Sequence, residues 1–457
     1  MQKREKFSSR LGFILISAGC AIGLGNVYRF PIITGAYGGA FFVLIYLVFL
    51  LILGIPVMTA ELAVGRGSQR SVATSFEQLE RKGQKWHWIK YIGIAGNYIL
   101  MMFYTCISAW LVIYFARYVS GSMLQYQSVE ALGGAFGAMC SNAALVMPVA
   151  FGVILVCFGI CSKGLQKGVE KVNKIMMVML LLLMLGLAVY CCTLSGAKEG
   201  LKFYLVPSLK NLQAAGVWTS VSAAMGQAFF TLSLGIGAIA IFGSYIDKNR
   251  RLAGEAATIT ALDTCVALMS GLIVFPAYFT FNVGAQGIPA DQAGAGFLFT
   301  TLSSIFNSMS TGRIVGSLFF LFMIFAALST VIAVFENIMS FWLERTKLDR
   351  RKIALINIVL VTVLSVPCVL SGSVWSQITL FGKNFMDLED YIVTNLLLPI
   401  GSLMYVIFCT SRYGWGWKNF EAEANLGRGL KLPGWIRPYM TYVLPLIIIV
   451  VLVMSAF

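Results

Sequence analysis

Along this chain, apolar runs of about 20 residues alternate with short polar stretches, and that length is what a helix needs to cross a bilayer. Ala40–Ala60 and Ile175–Leu194 are two such runs, neither with a charged residue. The pattern predicts eleven spans, near 11–35, 40–64, 89–118, 144–161, 170–194, 217–244, 254–282, 312–344, 352–370, 388–410 and 435–456. The fold class that follows is an all-α polytopic membrane protein, with residues 1–457 as one transmembrane domain. Two of the connecting stretches, 195–216 and 284–311, mix Gly, Ser, Asn and Pro with apolar residues, so short helices folded over one face are expected there. The first apolar run follows Lys3, Arg4, Lys6 and Arg10 and has no small-residue cleavage site after it, so it reads as a retained span.

Composition agrees: 58% of residues are hydrophobic and 12% charged, against roughly 25% charged in soluble domains. The net charge of +15 would suit a nucleic-acid partner if it formed one face, but it is spread over alternate loops. Of the 34 Lys and Arg, only Arg29, Arg117, Lys198, Lys202, Lys210, Arg313 and Lys383 fall outside the segments at the start, 66–90, 163–174, 248–251, 345–352 and 412–437. That asymmetry is the positive-inside pattern. It predicts a bacterial-type inner (cell) membrane protein with a cytoplasmic N-terminus, an outside C-terminus and no nucleic-acid partner. Trp86, Trp88, Trp415, Trp417 and Trp435 fall at the predicted inner interface. The ten cysteines sit mostly inside apolar runs and include no CxxC pair, so they read as buried thiols. The single His87 cannot build a metal site.

An internal echo carries more information. The first span holds Ala21-Ile22-Gly23-Leu24-Gly25-Asn26, and the sixth holds Ser233-Leu234-Gly235-Ile236-Gly237-Ala238. Glycine weakens a helix by about 1 kcal/mol relative to alanine. Two glycines in mid-membrane therefore permit broken backbone, which hydrocarbon tolerates only where the freed N–H and C=O groups face protein, ligand or water. Small residues also serve close helix packing, but paired breaks flanked by side-chain oxygens point to a binding site. Five spans separate the copies, so the second runs the opposite way: an inverted repeat of about 11–194 against 217–410, with an extra helix at 435–456.

Oxygen-bearing residues gather at the same depth: Asn26, Thr231, Ser233, Asp263, Ser329 and Thr330. Such a set, without His or Cys, suits a hard cation. Asp263 is the most telling member, because an unpaired carboxylate in mid-membrane costs several kcal/mol. Further intramembrane charges are Glu61, Arg29, Glu336 and the Asp387/Glu389/Asp390 group. Arg29 with Asp390, and Arg4 with Glu344, would make ion pairs on the two sides of the breaks.

The stretch Gly19 to Pro31 resembles the first-span signature of the neurotransmitter:sodium symporters, and Gln227 to Gly237 is similar to their sixth-span signature. Gly38-Gly39-Ala40-Phe41 and Gly54-Ile55-Pro56 through Glu61 match the second span, and the resemblance covers essentially the whole chain. It implies a bacterial eleven-span branch carrying hydrophobic or aromatic amino acids, with two sodium sites. The first would use Ala21, Asn26, Thr231 and Asp263 with the substrate carboxylate. The second would use Gly19, Ile22, Ala326, Ser329 and Thr330. The substrate would meet Ala21, Leu24, Gly25, Leu100, Tyr104, Phe230, Thr231, Ser233, Ile236, Thr330 and Val334. Arg29–Asp390 and Arg4–Glu344 would be the outer and inner gates, with Tyr245 near the inner one.

Three departures from the family pattern carry expectations. Asp263 stands where animal members have Asn and need chloride, so chloride-independent transport is implied. Phe7 replaces an N-terminal Trp and keeps an apolar plug. The fifth span has Val178 where Pro is usual, with nine residues between it and Gly168, which leaves its unwinding open. Proton coupling through Asp263 or Glu61, and a non-transporting sensor or a channel, remain as rival readings. An enzyme is disfavoured, since no nucleophile–base pair, P-loop or metal-ligand cluster is present.

Overall fold

In a computed structural model, residues 7–282, 284–285, 287–288 and 295–456 are described. Among them the chain is all-helical, and its only β features are two isolated bridges, Arg250 to Arg428 and Leu380 to Lys383. Among the described residues, nine helices are long and apolar enough to cross a membrane: Ala40–Ser68, Trp86–Ser120, Ala143–Ser162, Leu165–Cys192, Leu252–Phe281, Gly312–Arg345, Arg350–Ser371, Phe385–Thr410 and Ile436–Met454. A tenth arises if Arg10–Ala21 and Gly25–Ala36, bent by 59°, count as one span. The remaining expected span, 217–244, consists of two shorter helices, Val217–Thr231 and Ala238–Gly243.

Local sequence accounts for the first break. Ser9 caps the opening helix, its Oγ accepting from Gly12 N at 3.1 Å. The helix stops at Ile22, whose backbone is extended (φ −69°, ψ 93°). It resumes as a π-helical turn over Gly25–Arg29 that runs directly into an α-helix beginning Phe30-Pro31. In the sixth span the helix ends at Thr231, and the backbone turns left-handed at Ser233 (φ 50°), Gly235 (φ 98°) and Gly237 (φ 80°) before restarting.

Other spans bend without breaking. π-Helical turns occupy Leu50–Gly54 in the second span, Leu165–Glu170 at the start of the fifth and Ile392–Leu397 in the tenth. Pro56 and Pro399 stand just after two of them. The fifth-span irregularity lies close to Gly168 rather than at Val178. A side chain at Gly168 would put a Cβ 2.1 Å from the Ile160 carbonyl oxygen, so the fourth and fifth spans are nearly in backbone contact there.

The third and eighth spans pack along their length, and the first half-helix lies against the eighth, seventh and fifth. Short helices fold in the expected stretches, Ala197–Leu205 and Leu209–Ala215 in one and Ala295–Phe299 and Thr301–Ser308 in the other. Val129–Cys140 forms an additional helix that the loop composition had not suggested. All ten cysteines are free.

Candidate functional site

The two breaks meet at the centre of the bundle. Gln227, one turn before the sixth-span break, donates its Nε2 to the Gly25 carbonyl at 2.9 Å, and Tyr104 Oη accepts from Leu24 N at 3.0 Å. The backbone freed by the first break is thus held by side chains from the third and sixth spans. Glu61 on the second span does the same for the sixth. Its fully buried carboxylate accepts from Gly235 N at 2.9 Å, Ile239 N at 3.1 Å and Ala240 N at 3.3 Å. A carboxylate at the N-terminus of the second half-helix satisfies orphan N–H groups and complements the helix dipole. The Ile236 carbonyl accepts from Asn97 Nδ2 at 2.9 Å and Asn337 Nδ2 at 3.4 Å.

One oxygen cluster is centred on Asp263, which is 0% exposed. Asn26 Nδ2 donates to its Oδ1 at 2.8 Å and Thr231 Oγ1 to its Oδ2 at 3.1 Å. Asn26 Oδ1 accepts from Gly23 N at 3.3 Å, and Ser270 Oγ donates to the Asn26 carbonyl at 2.8 Å. The structure therefore gathers Asn26, Thr231 and Asp263. Ala21 ends the first half-helix close by in sequence. No ion pair among the described residues includes Asp263.

A second cluster joins the eighth span to the first break. Ser329 Oγ lies 3.4 Å from the Ile22 carbonyl oxygen and 2.9 Å from that of Ala326. Thr330 Oγ1 lies 3.4 Å from the carbonyl oxygens of Gly19 and Cys20, and 3.5 Å from those of Ile22 and Ala326. Every expected member is present, together with the unforeseen Cys20 carbonyl. Most of these separations are long for hydroxyl hydrogen bonds, which centre near 2.7–2.8 Å.

The apolar residues named from sequence divide in two. Leu100 and Tyr104 stand one turn apart on the third span, and Thr330 and Val334 one turn apart on the eighth. Phe230 is half-buried beside Gly25. The Ile236 side chain, by contrast, packs against Gly96 on the third span. Ser233 sits within the break, its N–H donating to the Phe230 carbonyl at 3.2 Å. The sixth span is also flush with the tenth: a Cβ at Gly235 would lie 2.2 Å from the Leu398 oxygen, and one at Gly401 would lie 2.0 Å from the Gly235 oxygen.

The expected Arg29–Asp390 ion pair is not formed. Arg29 instead lies over the Phe230 ring, 4.3 Å from its centroid, and Asp390 Oδ1 accepts from Thr394 Oγ1 at 3.0 Å. The planar guanidinium gains a stacking surface at the ring that a carboxylate across the gap does not offer. In the expected Arg4–Glu344 pair, Arg4 lies outside the described residues. Its expected partner Glu344 accepts from Ser71 N and Thr74 Oγ1, both at 2.7 Å. Tyr245 Oη donates to Glu336 Oε1 at 2.9 Å and lies 2.8 Å from Ser340 Oγ. Glu336 also pairs with Arg350 of the ninth span. Phe7 stands edge-on to Tyr245, with ring centroids 5.7 Å apart.

Two interrupted helices facing one another across buried oxygens, inside an all-helical membrane bundle, define a secondary transporter rather than an enzyme. The chain belongs to the sodium:neurotransmitter symporter family, whose sequence profile matches residues 4–132 and 137–457. It is 33% identical to YhdH, a sodium-dependent transporter of Bacillus subtilis, over 89% of this chain and 88% of that one. A sodium-dependent transporter of Methanocaldococcus jannaschii is 31% identical over 99% of this chain and 91% of its own length. Among solved structures, MhsT in complex with L-phenylalanine is similar over 100% of both chains, with 35% identity and a TM-score of 0.85.

Proposed function

We propose that this transporter imports a neutral hydrophobic or aromatic L-amino acid together with sodium by alternating access, without requiring chloride. The carrying observation is the ring of oxygens around Ser329 and Thr330. Oxygens about 3.4 Å apart match neighbouring ligands around a cation bound at about 2.4 Å, the distance typical of calcium-sized ions such as sodium. Gly19, Ile22, Ala326, Ser329 and Thr330 would hold one sodium. Ala21, Asn26, Thr231 and Asp263 would hold the other, once the Asn26 amide turns its oxygen towards the ion. Sodium there would neutralise the buried Asp263 charge, the role that chloride independence requires.

The substrate carboxylate would rest near Leu24, Gly25 and Tyr104, with its amino group at the carbonyls of Phe230, Thr231 and Ser233. Leu100, Phe230 and Val334 would surround its side chain. The bound L-phenylalanine of the similar MhsT structure supports an aromatic or large apolar substrate. The working architecture is eleven spans, a five-plus-five inverted repeat and an appended helix, with the N-terminus cytoplasmic and the C-terminus outside. Arg29 and Asp390 would close the outer path, and Glu344 with Tyr245 the inner one. Each sodium moving inward at 100 mV contributes about 2.3 kcal/mol before its concentration gradient.

The test is sodium-dependent binding competed by each of the twenty amino acids, followed by uptake into proteoliposomes with sodium replaced by choline at fixed pH. Competition by large apolar amino acids, and uptake lost in choline, support the proposal. Uptake that persists in choline and follows a proton gradient overturns sodium coupling.

A further inference from the structure

At the end of the bundle richest in Lys and Arg, a groove of about 500 Å³ opens between the start of the third span and the tenth span. Its floor is apolar, formed by Ile89, Ile92 and Met404, and its rim carries Lys85, Trp86, Trp88 and Tyr91. Trp88 is 62% exposed and Tyr91 56%, an exposure that amphipathic rings adopt at a membrane interface. One wall is fixed, since Trp86 Nε1 donates to the Tyr413 carbonyl at 2.6 Å.

The local field is cationic. Lys85 is exposed and makes no ion pair among the described residues. Arg412 lies over the Tyr413 ring at 4.8 Å, and Lys90 Nζ is 5.4 Å from the centroid of Tyr91. The neighbouring acids are engaged, Glu80 with His87 at 2.6 Å and Glu77 with Arg345 at 3.9 Å. An apolar floor beneath a cationic, aromatic rim is complementary to one amphiphile of opposite charge.

We propose that this groove holds one anionic phospholipid. Its phosphate would lie at Lys85 and the Trp88–Tyr91 rim, with an acyl chain along Ile89, Ile92 and Met404. A zwitterionic lipid would cover the same floor, but its headgroup brings no net charge to Lys85. The leaflet follows from the orientation proposed above. The site itself does not depend on that reading, nor on what is transported.

Native mass spectrometry of the full chain, extracted from bilayers of equal phosphatidylglycerol and phosphatidylcholine, tests it. One phosphatidylglycerol per chain should be retained in preference to phosphatidylcholine. Lys85→Gln should lower that preference about fivefold, the effect expected of one cationic side chain near a lipid surface. Met404→Trp, which fills the floor, should reduce retention of both lipids. The melting temperature, measured on the same samples, should remain unchanged and so report intact folding. Equal retention of the two lipids by the unmodified protein would overturn the proposal, as would unaltered retention in both variants. Because retention is read without transport, failure of the symport reading leaves this result standing.

Discussion

The two oxygen clusters beside the first-span break are assembled on different electrostatic terms. Around Asp263 a buried carboxyl group has one amide and one hydroxyl as its side-chain hydrogen-bond partners. Around Ser329 and Thr330 the oxygens are neutral hydroxyls and carbonyls. When ionised, the first arrangement demands a compensating cation, because a lone buried carboxylate costs several kcal/mol. The second can exist without one, and its spacing only makes a cation welcome. A third carboxylate sharpens the contrast. Glu61 is equally buried, yet three backbone N–H groups supply what Asp263 lacks.

The largest effect is expected from Asp263→Ala. It removes the counter-charge and the shorter of the two hydrogen bonds made by the Asn26 amide, so sodium-driven uptake should fall at least about 100-fold, some 2.7 kcal/mol or more. Asp263→Asn should recover part of the uptake only when chloride is present. Equal rescue in gluconate would contradict charge compensation. Next comes Glu61→Gln, which exchanges charge-assisted hydrogen bonds for neutral ones, each worth about 1.5–3 kcal/mol to a charged group. Its melting temperature should drop with and without sodium. Asp263→Asn should instead lose the sodium-induced rise in melting temperature, and matching behaviour of the two variants would erase the contrast between the two carboxylates.

Ser329→Ala and Thr330→Ala each remove one neutral ligand. Apparent sodium affinity should weaken about tenfold, or about 1.4 kcal/mol, with no chloride dependence appearing. If either substitution made transport chloride-dependent, the two clusters would not be electrostatically separate. The smallest change is expected of Arg29→Lys, which keeps the charge but loses the planar stack on Phe230. A loss of about 0.5–1 kcal/mol should show as a two- to fivefold rise in the substrate concentration for half-maximal uptake.

Both breaks were legible in sequence because their cause is local: glycine pairs at mid-membrane leave a helix no other comfortable course. Asp263 was legible through its cost. The partners of the charged residues were not, since they depend on which spans come together. Glu61 stood out as an intramembrane acid, but the N–H groups that donate to it lie on the sixth span, 174 or more residues away. Glu336 likewise gave no hint that Arg350 and Tyr245 would converge on it. For Arg29 a plausible carboxylate drew attention from the ring of Phe230, which it meets in this structure. The departure at Val178 left the unwinding of the fifth span open. The backbone irregularity of that span is a π-helical turn at Leu165–Glu170, around Gly168 and well before Val178.

The near-contact of Gly235 with the tenth span has an evolutionary consequence. With the Leu398 oxygen 2.2 Å from where a Cβ would sit, and a backbone angle that favours glycine, that position accepts no side chain without moving a neighbouring helix. With the binding site proposed above, diversification of cargo would be channelled towards Leu100, Phe230 and Val334, the residues proposed to surround its side chain. A directed-evolution library confined to those three positions should yield altered substrate preferences at far higher frequency than one confined to residues 233–237.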